Sequence, residues 1–242
     1  MDDRILRIGC ASGFWGDSAT AAPQLLDRAR LDYLVFDYLS EITMSLLARA
    51  RQRDPEAGDT GDFVDPVMKA SLPRLAAQGV RVVANAGGIN PRSCKRALEA
   101  LCAEAGAALK VAIVEGDDLM PLADALRADG VREAYSGAPL PDRLLTANAY
   151  LGAWPIAAAL AGGADIVVTG RCADSALVLG PLIHEFGWGP QDHDLLSAGT
   201  LAGHVIECGT QCTGGICTDW RAVAAGWDDM GFPIVECAAD GS

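Results

Sequence analysis

The chain has 242 residues, half of them hydrophobic and 21% charged, and its 32 acidic against 19 basic side chains give a net charge of −13. That length and apolar content suffice for one sizeable core, while a surface this acidic repels nucleic acid and anionic membranes, so neither is expected as a partner. No apolar stretch reaches the roughly 20 residues of a membrane helix, the chain opens on acids (MDDRILRIG) rather than on a basic leader, and its eight cysteines show no Cys-x-x-Cys spacing, so a cytoplasmic protein with reduced thiols is expected.

In chain order, ILRIGCA (5–11) predicts a strand and SATAAPQLLDRAR (18–30) a helix, with Ser18 placed to cap it. LDYLVFDYL (31–39) is aromatic and β-branched and predicts a second strand, followed by a helix over 40–54 opened by Ser40. After a polar loop, residues 64–79 predict a helix closed by Gly79, and VRVVANAGG (80–88) a buried strand running into a turn. A helix over 90–106 has Pro91 in its first turn. LKVAIVEG (109–116) predicts a strand, LMPLADALRADG a short helix, and 145–163 a helix after a Pro-rich loop. ADIVVTGR (164–171) is the fifth clear strand, and 174–187 a helix. From Gly199 the chain becomes dense in Gly, Thr and Cys, and FPIVECAADGS predicts a last strand that stops in mid-turn.

Strands that are apolar throughout are buried on both faces, and their alternation with helices predicts a mostly parallel sheet with helices on both sides, a Rossmann-like three-layer α/β domain. A closed TIM-like barrel is the alternative, although it needs eight such units. Residues 1–242 are expected to form a single α/β domain. The turn that follows the last strand leads us to expect a longer parent chain.

In such a sheet, ligands bind outside the carboxyl ends of the strands. The turns there carry Trp15, Asp17 and Ser18; Asp37 and Glu41; Asn85, Gly87, Gly88 and Asn90; Glu115, Asp117 and Asp118; and Arg171, Asp174 and Ser175. Asp17, Glu115, Asp117 and Asp174 are candidates for acid–base work or for holding Mg²⁺ through oxygen ligands. Acids at a helix start also favour the macrodipole without further function. Arg171, directly after a buried strand, is the candidate anchor for a carboxylate, phosphate or thioester-linked substrate; a salt bridge to Asp174 or Glu115 is its other reading. Trp15, Asn85, Asn90 and Ser175 complete the candidate substrate contacts.

Gly9, Gly13 and Gly16 are spaced G-x-x-x-G-x-x-G rather than as a dinucleotide fingerprint, though Asp37 falls near where a ribose-binding acid would lie. No Walker lysine follows any Gly-rich turn. His184, His193 and His204 form no metal-ligand spacing; His204 is a catalytic candidate because glycines flank it. Cys208, Cys212 and Cys217 lack a zinc or iron–sulfur spacing.

RIGCASGFWGDS, LDYLVFDYLSE, VRVVANAGGINP, LKVAIVEGDD, GADIVVTGRCADSALVLGPLIHEFGW and GFPIVECAADGS, in this order, resemble the N-terminal domain of AtuA-type acyclic terpene utilisation proteins. The resemblance covers almost the whole chain, with the segment from ADIVVTGR to HEFGW its most specific part. It implies bacterial breakdown of citronellol- or geraniol-like compounds by way of acyl-CoA thioesters, and it carries no catalytic residues over. Cys212 and Cys217 depart from the family pattern. The combined expectation is a domain that binds a small organic acid or acyl-CoA and performs hydratase- or lyase-like acid–base chemistry, with a homo-oligomer anticipated. A non-catalytic subunit of an acyl-CoA pathway enzyme and a nucleotide-dependent oxidoreductase remain as alternatives.

Overall fold

Short runs rich in Val, Ile and aromatic residues form the strands, as side chains that fit a pleated, buried surface dictate. The computed structural model, which describes residues 4–242, contains β1 (Ile5–Cys10), α1 (Ala21–Arg28), β2 (Tyr33–Phe36), α2 (Glu41–Arg53), α3 (Lys69–Gln78), β3 (Arg81–Ala84), α4 (Pro91–Glu104), β4 (Val111–Val114), α5 (Ala123–Ala128), α6 (Trp154–Ala161), β5 (Ile166–Thr169), α7 (Ala176–Phe186), α8 (His193–Ile206) and β6 (Ile234–Ala238). The strands form one sheet in the order β4-β5-β3-β2-β1-β6. All neighbours are parallel except β6, which runs antiparallel to β1.

This order explains the layers. From β1 through β2 to β3 each step moves the same way across the sheet, and β4 is reached by passing over the position later taken by β5. Right-handed crossovers then place α1, α3 and α4 on one face, where Leu25, Leu72 and Leu98 pack with Leu34, Val82 and Ile166. The step from β4 back to β5 reverses direction and sends α6 to the other face. There α7 and α8 join it, and Ile156, Leu177 and Ile206 pack with Ile8, Val35 and Val167. The architecture is the expected three-layer α/β sandwich. All eight cysteines are free thiols, and no helix among the described residues is long and apolar enough to cross a membrane.

Three local readings need correction, and one stretch without a reading gains one. The helix expected over 145–163 begins only at Trp154, because Pro155 suits a first helical turn. Residues before it run extended, with Asn148 bridged to Asp118 and Leu151 to Cys172. The helix expected over 64–79 is regular only from Lys69, since Asp65 is extended ahead of Pro66. Ser18 does not cap α1: Thr20 holds that position without a side-chain cap, and Ser18 Oγ accepts the Thr20 N–H at 3.2 Å. Residues 199–206, to which the sequence assigns no element, lie within α8, where a Cβ on Gly203 would fall 2.6 Å from the Ser175 carbonyl oxygen, so this glycine permits close packing onto the start of α7.

Candidate functional site

The topology creates one switch point. The helix leaving β3 lies on the first face and the helix leaving β5 on the second, while β3 and β5 are neighbours. Open α/β sheets bind ligands outside the carboxyl ends of the strands at such a place. Period-two alternation aims a charge into it. Phe36 and Tyr38 pack in the first-face core, so Asp37 between them projects toward the second face, where Asp174 precedes α7 and Glu207 follows α8.

Asp37, Asp174 and Glu207 each offer a carboxylate oxygen, and these atoms all lie within 4.8 Å of one another. Asp37 is only 5% exposed. Its Oδ1 accepts the Asn85 side-chain N–H at 2.6 Å, and Asn85 Oδ1 in turn accepts the Tyr38 N–H at 2.7 Å, which fixes the rotamers of both. Burial first, and the charge of Asp174 second, push the Asp37 carboxyl up to about 8 from the ordinary 3.8, although the Asn85 hydrogen bond opposes this. Burial and Asp174 also raise Glu207, against the pull of His204 and Arg171.

Arg171 is the buried cation beside this trio. The Arg171 side chain is 4% exposed and donates from Nη1 to Asp174 Oδ1 at 2.6 Å and to the Cys172 carbonyl at 2.7 Å. Burial alone would lower the guanidinium pKa, but the Asp174 and Tyr150 contacts override it and raise it. The Tyr150 ring lies 4.0 Å from the guanidinium carbon, a cation–π contact, and its hydroxyl donates to Glu41 at the start of α2. Arg171 Nε is buried and reaches no acceptor. Both readings of Arg171 thus meet here: it is salt-bridged to Asp174, and it retains an unsatisfied donor.

The remaining candidates divide by what their polar atoms hold. Asp117 is buried; its Oδ2 accepts the Arg171 backbone N–H and the Asn148 side chain, both at 2.9 Å. Burial raises its carboxyl and the Arg171 N–H opposes that. It fixes the Arg171 turn and, through Asn148, the extended segment that carries Tyr150. Glu115 is engaged in a bidentate pair with Arg92 at 2.8 and 2.9 Å. Asn90 caps α4 by accepting the Ser93 N–H at 3.2 Å and donates to the Glu56 carbonyl at 2.9 Å. Glu115, Asp117 and Asn90 line a separate small cavity of about 180 Å³. Asp17 accepts the N–H groups of Gly13 and Ser18 at 3.0 and 2.7 Å and so shapes its own turn. That turn meets the end of α8: a Cβ on Gly13 would fall 2.5 Å from the Cys208 backbone, which brings the turn bearing Trp15 close to Glu207. His204 is largely exposed, with Nδ1 3.3 Å from Glu207. Ser175 contributes its backbone carbonyl to the first turn of α7.

The oxygen-only donors of Asp37, Asp174 and Glu207 suit a hard cation such as Mg²⁺ rather than zinc, with one Asp174 oxygen already committed to Arg171. The same trio suits proton transfer, because carboxyl groups crowded in an apolar setting cannot all ionise together.

A family model described as acyclic terpene utilisation family protein AtuA matches residues 6–242. A search of curated proteins found no match, and a search of solved structures found none either.

Proposed function

The chain belongs to the acyclic terpene utilisation family AtuA, and from that premise we propose that it is an enzyme acting by proton transfer on a small carboxylate or acyl-CoA thioester, with hydratase- or lyase-like chemistry. The observation that carries this reading is the convergence of Asp37, Asp174 and Glu207 within 4.8 Å beside a buried arginine. Environments that split the proton affinities of neighbouring carboxyls mark acid–base pairs.

Asp37 is the acid in this reading: burial keeps its proton on near neutral pH, and it delivers that proton to a carbonyl or leaving hydroxyl oxygen of the substrate. Asp174, whose side chain is about one-third exposed to the crevice, accepts a proton from the adjacent carbon. Arg171 takes the substrate's oxyanion, and its unpartnered Nε supports that role. Asn85 holds Asp37 in place, and Asp117 holds the Arg171 turn. The family's link to acyclic terpenes favours branched acyl thioesters as the substrate class.

The test combines calorimetry with proton exchange, using acyl-CoA thioesters of citronellol- and geraniol-derived acids. Arg171→Ala should weaken binding on the order of tenfold or more. Asp174→Asn should retain binding but stop solvent deuterium from entering the position next to the thioester carbonyl, and Asp37→Asn should retain binding but slow loss of the leaving hydroxyl. Unchanged affinity in Arg171→Ala removes that residue from the site, undiminished exchange in Asp174→Asn removes the proposed base, and undiminished loss of the hydroxyl in Asp37→Asn removes the proposed acid.

A further inference from the structure

We propose that the groove at the amino edge of the sheet, opposite the crevice, is a binding site for a compact phosphate-bearing anion of nucleotide size. The groove encloses about 730 Å³ where β1, β2 and β3 begin, within the roughly 300–1,000 Å³ of pockets that hold small molecules. Five arginines line it (Arg4, Arg7, Arg28, Arg30 and Arg81) against two aspartates. This concentration stands out in a chain whose acids outnumber its bases 32 to 19.

Each of the two aspartates has a partner of its own, Asp27 outside the groove and Asp32 on the backbone of β1. Asp27 accepts from Arg74 through both oxygens at 2.7 and 3.3 Å, and Asp32 accepts the Arg7 backbone N–H at 2.8 Å. Arg30 is exposed and has neither an ion pair nor a hydrogen bond among the described residues. Arg7 pairs with Glu236 at 2.7 Å and Arg28 with Asp229 at 2.8 Å, but both pairs lie in solvent, where such contacts contribute little and exchange partners readily. Arg81 is anchored from behind by Tyr33, Glu185 and His184. Guanidinium forks arriving from β1, from the α1–β2 turn and from β3 match the oxygens of a phosphate, which they bind two at a time.

Charge also decides the size of the ligand. A nucleic-acid chain would run over the acidic surface that gives the molecule its net −13. A compact anion stays within about 8–10 Å of the arginines, the distance beyond which salt screens it from the rest of the surface.

Calorimetry on the full chain at low salt, with inorganic pyrophosphate, ADP and adenosine as probes, tests the site. Pyrophosphate should bind, adenosine should not, and Arg30→Glu should weaken pyrophosphate on the order of tenfold. Arg30→Gln, which keeps a polar side chain of similar length, serves as the second variant and should weaken it less. ADP binding more tightly than pyrophosphate supports a nucleotide as the occupant; equal affinity supports phosphate recognition alone. Because this groove and the crevice lie on opposite edges, Arg171→Ala should leave pyrophosphate binding intact. The proposal is overturned by absent pyrophosphate binding, by wild-type affinity in both Arg30 variants, by loss of binding in Arg171→Ala, or by a DNA oligomer binding as tightly as pyrophosphate.

Discussion

The two edges of one sheet treat charge in opposite ways. At the carboxyl edge, a buried aspartate, two further carboxylates and a 4%-exposed arginine crowd together, and proton affinities move as a consequence. At the amino edge, the Arg7–Glu236 and Arg28–Asp229 pairs stand in water. The same residue types therefore do different work. Buried charges are expensive to leave unpaired and become reactive or structural hinges of a site, whereas solvated ones stay exchangeable and suit reversible capture of an anion.

The sharpest way to break this contrast is turnover. Asp37→Asn or Asp174→Asn should lower the rate of the proposed proton transfer by about 10²–10⁴-fold, the range for loss of a positioned acid or base, while Arg30→Glu should leave it unchanged. A substrate-turnover assay on the three variants checks this. Next comes stability. Arg171→Leu strips the buried cation from beside Asp37 and Asp174 and should cost about 3–5 kcal/mol in urea unfolding, against at most about 1 kcal/mol for Arg7→Ala at the other edge.

A pH effect gives a further test. The folded state holds the Asp37 proton up to about 8, whereas an unfolded aspartate releases it near 3.8. The folded form therefore binds the extra proton in that window, so this group's contribution to stability is greatest below about 3.8, declines as pH rises toward 8 and is level above it. Asp37→Asn should flatten that decline in denaturant titrations run across the window. The smallest expected effect is salt dependence: added salt should erase the Arg7→Ala difference and leave most of the Arg171→Leu difference in place.

Much of the fold was legible in the sequence because buried strands and amphipathic helices carry their period on the chain itself. The place of β5 between β3 and β4 was not, since strand order depends on packing between elements far apart in the numbering. In the site, Asp37, Arg171 and Asp174 fall at strand ends, where the rule for α/β sheets looks for them. Glu207 falls just after α8, in the stretch from Gly199 that the sequence marks only as dense in Gly, Thr and Cys, and nothing local ties it to Asp174. Asp117, Glu115 and Asn90 sit at strand ends too, yet their polar atoms hold the Arg171 turn, Arg92 and the start of α4. Residue type and position cannot distinguish a carboxylate that faces a crevice from one that closes a turn. The extended segment before α6 was read as helix because its apolar composition outweighed the one signal against it, Pro155 marking where the helix begins.

Carbon-13 NMR of the aspartate side-chain carboxyls, followed through a pH titration, tests the central claim most directly. Asp37 should titrate near 8 in the native protein and at lower pH in Asp174→Asn, because a neighbouring negative charge has been removed. An Asp37 carboxyl that titrates near the ordinary 3.8, or that ignores the loss of Asp174, would contradict the account.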